Sequence, residues 1–423
     1  MFMHETLKHE TLKDVLEKIK PGKEEEKKFK EISGFFLKNL NSRLKNSKAV
    51  LGGSGAKGTW LSGNHDVDIF VLYDYKGFAE KSGQLSDFLE PVLKKMFNAK
   101  IERMHGSRDY FKLVYENLNF EVVPILRISK SEQAVNITDI SPLHSQWVAR
   151  QNQKIKDEIR ILKQFCIANK LYGAESYING FSGYVLEILT IFHGSFEKVL
   201  KAAQKWKNKE IIDPSKFYNK KEALFHINRS KLNSPIIVVD PVDKTRNAAA
   251  ALSQENLLQF KKLAGKYLKN HDVSFFQKDK ITLDRLSREK GHKLFLQIIP
   301  LKGKEDVVGV KLLKTFNHLN KRLENFEIRK SGWEWCQGEN AEMYFVLSKN
   351  KLAEFEERQG PPLNMQEAVK AFKNKNKNNF TKKDRIFAKV QVKYPQLADF
   401  AADVLKDEYV GERIKKVKKI EII

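Results

Sequence analysis

The chain has 423 residues, with 77 Lys plus Arg against 53 Asp plus Glu and a net charge of +24. Two cysteines, Cys166 and Cys336, exclude a disulfide framework and a cysteine-based zinc site, which fits a reducing cytoplasm. No apolar run approaches the roughly 20 residues of a membrane span, and the excess of positive charge points to a polyanionic partner, nucleic acid first, with general basicity as the plain alternative.

The sequence from residue 5 to residue 48 reads as helical, starting in a repeated His-Glu-Thr-Leu-Lys at 4–8 and 9–13. Leu12, Val15, Leu16 and Ile19 fall at helical spacing. Pro21-Gly22 breaks this helix, and a second runs from about Glu24 to Leu44 with Phe29, Ile32, Phe35, Phe36 and Leu40 on one side. Strands follow at 48–52, 67–73, 99–104, 110–115 and 120–126, with a helix at about 85–98. This order predicts an α+β domain with a mixed sheet. Residues 155–172 read as an amphipathic helix capped by Gly173, and 183–205 as another. Ile236–Val239 is a strand, and a helix begins near Asn247.

The character changes after about residue 270. Phe275-Phe276 and Phe295–Ile299 read as parts of a separate α/β unit. Phe316–Phe326 is a helix, and Gly332–Gln337 with Met343–Leu347 is a hairpin. Gly360-Pro361-Pro362 is a sharp break, and the Lys/Asn run at 373–379 is a flexible basic loop. Lys415–Lys419 reads as an edge strand or a tail. The domains are expected at 1–150, 151–270 and 271–423.

Asp66-Val67-Asp68 carries the chemistry. One residue between two acids puts both carboxylates on the same face of an extended strand. Ile69-Phe70-Val71-Leu72-Tyr73 continues that strand into a core. Two such carboxylates repel each other unless a cation sits between them. Mg²⁺ is the natural occupant, and a phosphate is its natural substrate. Metal-assisted phosphoryl transfer calls for a third carboxylate, and Glu121, an acid inside the apolar Phe120–Pro124, is the candidate. Upstream, Gly52-Gly53-Ser54-Gly55 reads as a glycine turn whose amides and Ser54 hydroxyl approach a triphosphate, with Lys57 adding positive charge. The same residues also read as ordinary structure: a solvated turn before a strand, a salt bridge from Glu121 to a nearby lysine, a surface lysine at 57.

Several motifs together resemble one family. Gly53-Ser54 and Asp66-Val67-Asp68 resemble the nucleotidyltransferase signature of the DNA polymerase β superfamily. Asp139–His144, Leu162-Lys163, Leu171–Glu175, Gly180–Tyr184 and Val239–Asn247 are similar to the archaeal (class I) CCA-adding enzymes, which are tRNA nucleotidyltransferases. The likeness covers about residues 45–260. It implies a polymerase β-like catalytic head at 1–150. It implies a helical central domain at 151–270 for the nucleotide base and the tRNA end, and α/β RNA-binding domains at 271–423. It implies that Asp66, Asp68 and Glu121 hold Mg²⁺ and that Ser54 and Lys57 contact the triphosphate. Ser141, His144, Lys163 and Tyr172 then meet the phosphates or sugar, and Arg246 the incoming base. Glu121 stands where the family usually has aspartate, Lys57 where it more often has arginine, and Ser141 where threonine is usual. Without the family, His144 reads as a core histidine, Lys163 as a helix rim, Tyr172 as a core aromatic and Arg246 as a helix cap.

The activity so implied is template-independent addition of CCA to the 3′ end of tRNA from CTP and ATP, in the cytoplasm, with pyrophosphate released. A homodimer is compatible with the sequence. The alternatives are another RNA nucleotidyltransferase of the superfamily, such as a poly(A) polymerase, and a degenerate RNA-binding homologue.

Overall fold

A computed structural model describes residues 2–64, 66–96, 100–219, 222–278 and 282–423, with side chains from residue 11 onward. The chain divides into two compact units, 1–279 and 280–423.

The first unit opens with α1 (Phe2–Ile19) and α2 (Lys23–Asn41), which flank the Pro21-Gly22 break. A mixed sheet follows: β1 (Ser47–Leu51), a one-turn helix α3 (Gly53–Lys57), β2 (Asp66–Tyr73), helices α4 (Tyr75–Phe78) and α5 (Leu85–Met96), β3 (Glu102–Met104), β4 (Tyr110–Tyr115) and β5 (Leu118–Leu126). The order is β1-β2-β5-β4-β3, with β2 and β5 parallel and the other pairs antiparallel. Residues 97–99, at the edges of the expected helix and strand, lie outside the described residues. Alternation along β2 sends Val67, Ile69 and Val71 into a core with Phe36 and Leu40 of α2 and Leu85, Leu89 and Leu93 of α5. Phe36 stacks on Phe120 of β5 at 4.2 Å between centroids. One face of the sheet is therefore closed by helices.

Next come α6 (Ser141–Ala149), α7 (Gln153–Ala168), α8 (Gly183–His193), α9 (Phe196–Lys205), β6 (Glu210–Ile212), α10 (Ala223–His226), β7 (Ile236–Asp240), β8 (Asp243–Asn247) and α11 (Gln254–Lys269). Helices α7, α8, α9 and α11 enclose a second core around Leu162, Phe165, Leu189, Phe196 and Phe260, and α1 covers it with Val15, Leu12 and Leu16.

Several sequence expectations shift. The helix expected over 155–172 stops at Ala168, because Lys170 takes the left-handed turn (φ 58°). Gly173 instead serves a later turn (φ 129°), where a Cβ would sit 2.3 Å from the Glu175 carboxylate. The helix expected over 183–205 is two, parted by Gly194 (φ 87°) and the N-cap of Ser195. No helix begins at Asn247. That residue ends β8, and its side-chain oxygen accepts from the amides of Val238 and Ala249 at 3.0 Å each. Phe275 and Phe276 belong to the first unit, packing with Phe165 and Tyr267.

The second unit contains α12 (Leu283–Ser287), β9 (His292–Pro300), α13 (Glu305–Arg322), β10 (Ile328–Glu334), β11 (Ala341–Leu347), β12 (Phe355–Pro362), α14 (Gln366–Lys375), β13 (Asn379–Lys382), β14 (Arg385–Gln391), α15 (Leu397–Val404), α16 (Glu408–Gly411) and β15 (Ile414–Ile422). Its antiparallel sheet β10-β11-β9-β15 packs on α13 and α15, and the expected hairpin is β10–β11. Trp333 and Trp335 pack against that core. Lys415–Lys419 lies in the edge strand β15. Gly360-Pro361-Pro362 does not break the chain. It lies in β12, the edge of a sheet ordered β12-β14-β13, where a register shift between Gln359 and Pro362 accommodates the prolines. The Lys/Asn run is not a loop throughout, since it ends α14 and begins β13.

Among the described residues no helix is long and apolar enough to cross a membrane. Phe165 is fully buried with rings of Phe196 at 5.6 Å and Tyr267 at 6.1 Å. Phe165→Ala is expected to cost about 3–5 kcal/mol in denaturant unfolding of the first unit. A loss under about 1 kcal/mol would show that this cluster is not the centre of the core.

Candidate active site

Alternation that buries Val67 and Ile69 turns Asp66 and Asp68 to the opposite face of β2. The parallel register pairs Asp68 with Glu121 and Asp66 with Asn119, so all four side chains emerge on that face. Asn119 donates to Asp66 at 3.2 Å. Lys112, opposite Glu121 on β4, reaches its carboxylate at 2.9 Å. The ion pair read as the alternative for Glu121 is thus present. Among the described residues no three His, Cys, Asp or Glu groups are gathered closely enough to hold a metal ion. The backbone register brings the acids together, and the Glu121 carboxylate is paired with Lys112.

Asp68 feels the crowding. Burial first, then Glu121 and Asp66, push its carboxyl up to about 6, against the opposing pull of Lys57. Gly53 explains how tightly it is held. With φ at +52°, a Cβ there would lie 1.6 Å from the Asp68 carboxylate oxygen. Gly52 donates its amide to the Asp68 carbonyl at 2.7 Å, and a side chain on it would strike the Phe70 ring at 2.5 Å. The expected glycine turn is in fact α3, and Ser54 lies within it, half-buried. Arg160 of α7 fastens the far end of α3, donating to the carbonyls of Gly58 at 2.8 Å and Trp60 at 2.9 Å.

Lys57 and Lys163 converge on one buried acid, Glu187 of α8. Lys57 reaches Oε2 at 2.9 Å; Lys163 reaches Oε1 at 2.7 Å, and the Thr59 hydroxyl donates to Oε1 at 2.7 Å. Lys57 also lies over the Tyr184 ring, 5.2 Å from its centroid. Tyr172 and Lys163 both border Gly183 at the start of α8, and burial pushes the Tyr172 phenol well above its usual range.

A second buried acid, Asp240 at the end of β7, gathers the remaining residues. Its Oδ2 meets His144 at 2.8 Å and accepts from Arg246 at 2.6 Å, and its Oδ1 accepts from Tyr184 at 3.1 Å. His144 packs on the Tyr184 ring at 4.1 Å. Burial lowers the His144 pKa despite Asp240. Arg246 lies in β8 and caps no helix. Ser141 begins α6, which carries His144 and packs against α3.

The first unit therefore joins the acid strand, the two lysines, Tyr172, His144 and Arg246 through contacts that run by way of Glu187, Tyr184 and Asp240. Those three residues, with Thr59 and Lys112, are the ones sequence reasoning missed. Glu187 carried a usable signal: it is an acid in the apolar run Tyr184–Leu189, the same pattern that singles out Glu121.

Comparison with known proteins fits this arrangement. Residues 35–118 match the nucleotidyltransferase domain, 157–277 the second domain of tRNA nucleotidyltransferase, and 302–422 the C-terminal domain of the CCA-adding enzyme. The CCA-adding enzyme of Methanocaldococcus jannaschii is 30% identical over 425 residues, 96% of this chain and 93% of that protein. This chain belongs to the CCA-adding enzyme family. The family's member from Nanoarchaeum equitans (strain Kin4-M) is 35% identical over 319 residues, covering 75% of this chain and 76% of its own. A cytoplasmic RNA terminal U-transferase structure superposes with a TM-score of 0.51 at 11% identity, covering 65% of this chain and all of its own, which shows a shared fold.

The raised Asp68 pKa has a consequence for stability. A carboxyl that is harder to ionise in the fold favours folding below its ordinary pKa and loses that contribution as pH rises through about 6. In metal-free buffer, Asp68→Asn is expected to raise Tm at about pH 8, an increment on the order of 2 kcal/mol, and to leave it unchanged at about pH 4. Equal Tm differences at both pH values would sink this account.

Proposed function

We propose that this chain adds CCA to the 3′ end of tRNA from CTP and ATP, without a nucleic-acid template and with release of pyrophosphate. The observation that carries the reading is the registered set Asp66, Asp68 and Glu121 on one sheet face beside the Lys57–Lys163 cluster, in a chain of the CCA-adding enzyme family.

The acid face suits a hard divalent cation. Its donors are carboxylate oxygens, and burial together with the neighbouring acids Glu121 and Asp66 has raised the Asp68 pKa in a way that a cation would relieve. Asp66, Asp68 and Glu121 would hold Mg²⁺, with Glu121 exchanging the Lys112 ammonium for it. When bound, Mg²⁺ supplies a Lewis acid that lowers the pKa of the attacking 3′-hydroxyl and neutralises triphosphate charge. The chain's own residues do the positioning. Ser54 and Lys57 take the phosphates. Lys163, Tyr172, His144 and Ser141 take phosphate or sugar. Arg246, fixed by Asp240, contacts the base. His144, held neutral by burial beside Asp240, acts as a hydrogen-bonding group. The C-terminal unit, rich in lysine, would hold tRNA through phosphates and shape. Such a reaction belongs in the cytoplasm, where its tRNA substrate is.

Asp66→Asn and Asp68→Asn are each expected to cut incorporation of labelled CTP and ATP by about 10³-fold or more while tRNA binding survives. Glu121→Ala should slow incorporation strongly and Glu121→Asp retain it. The assay uses tRNA lacking its last three residues. Near-normal turnover of either aspartate variant overturns the metal assignment. A long homopolymer tail in place of three added residues favours a poly(A) polymerase-like enzyme. No metal-dependent incorporation by the unaltered protein favours an RNA-binding homologue.

A further inference from the structure

Glu187 is a deeply buried charge, with its side chain 1% exposed in the second turn of the apolar helix α8. Burying a carboxylate is costly, and a well-packed apolar residue of similar volume commonly serves stability as well or better. Its partners suggest what else it does. Lys57 and Lys163 bind its two oxygens, and Thr59 bridges, donating its hydroxyl to Glu187 and accepting from Lys163 at 3.0 Å. Two ammonium groups share one carboxylate, so the cluster keeps one positive charge in excess. The two lysines differ in reach, since the Lys57 side chain is 12% exposed and that of Lys163 is 5%. Lys57 also stands close enough to Asp68 to oppose the rise in its pKa.

We infer that Glu187 is a positioning residue for the incoming nucleotide: it keeps Lys163 charged in a buried place and holds Lys57 ready to exchange its carboxylate for the nucleotide's phosphates. This rests on the reading of the chain as a nucleotidyltransferase. The exchange balances in charge. Lys57 trades one anionic partner for another, and Lys163 remains to neutralise Glu187 when Lys57 leaves. An anion of high charge is thereby selected over a neutral ligand, because only phosphate oxygens compete with the carboxylate for Lys57.

Lys163 carries the pH dependence that follows. It is faced by Glu187 from α8, Lys57 from α3, Arg160 from its own helix, and Tyr172 beside Gly183. Burial first, then Lys57 and Arg160, lower the Lys163 pKa even though Glu187 opposes them. Without the carboxylate, Lys163 gives up its proton at a lower pH, and the excess positive charge of the cluster falls as pH rises.

The test is calorimetric binding of ATP and of adenosine to the full chain, from about pH 6.5 to about pH 9.5. For the unaltered protein, ATP affinity should fall least steeply over this range. Glu187→Gln should bind ATP progressively more weakly as pH rises, by about tenfold at the upper end, with adenosine affinity unchanged. Glu187→Asp, which keeps the charge, should restore most of the shallower profile of the unaltered protein. Thr59→Val removes the bridging hydroxyl without changing charge and should show the same slope in weaker form, and it carries the test if Glu187→Gln does not fold. An ATP profile no steeper than that of the unaltered protein in Glu187→Gln, or in Thr59→Val where that variant stands in, overturns the inference. So does an equal loss for ATP and adenosine, which would mark a merely structural residue. Incorporation of CMP and AMP into tRNA by the unaltered protein is the separate control. Its failure would remove the functional reading, whereas its success beside an unsteepened Glu187→Gln profile would remove only the role of Glu187.

Discussion

Mutual repulsion among acids on one face of a sheet is the constraint that organises the first unit. Asp66 and Asp68 project together because Val67 and Ile69 must be buried, and the parallel register adds Glu121 beside Asp68. Each acid then needs an answer. Asn119 supplies a hydrogen bond to Asp66, and Lys112 supplies a charge to Glu121. Asp68 is opposed by Lys57, yet burial first, then Glu121 and Asp66, still raise its pKa. A charge left under-compensated costs the fold stability, and a cation bound there would relieve it.

Away from the strand the polarity reverses. The helical part of the first unit buries two further acids, Glu187 and Asp240, and each gathers basic groups: Lys57 and Lys163 at one, His144 and Arg246 at the other. Tyr184 touches both systems, with its hydroxyl on Asp240 and its ring beneath Lys57. Cationic groups that would otherwise repel each other are thus brought to one region and fixed in direction. Preorganised charge of this kind does most of what catalysis of phosphoryl transfer requires.

The parts of this arrangement that follow local rules were readable in the sequence. Alternation in Asp66–Tyr73 and an acid inside Phe120–Pro124 identify the strand pair and its carboxylates. What escaped depends on tertiary contacts. Asp240 precedes a proline and looks like a turn residue, yet it accepts bonds from His144, Tyr184 and Arg246, which no spacing rule connects. The end of α7 was misread because two residues nearby can take a left-handed conformation, and Lys170 takes it before Gly173. The Lys/Asn run reads as a flexible basic loop by composition. Its helical part is nonetheless anchored, because Phe372 of α14 lies against Gly360 of β12. The Gly-Pro-Pro segment reads as a break, but prolines are tolerated at a sheet edge, and edge position is invisible before the strands are ordered.

Arg160 ties these pieces together in another respect. Its guanidinium is fully enclosed and grips the carbonyls of Gly58 and Trp60 while its own helix is packed into the central core. The segment that presents Ser54 and Lys57 is therefore no free loop. Releasing it would leave a buried guanidinium with two unmet donors beside its Asp157 ion pair, so its amide protons should exchange with solvent only when the helical core itself opens.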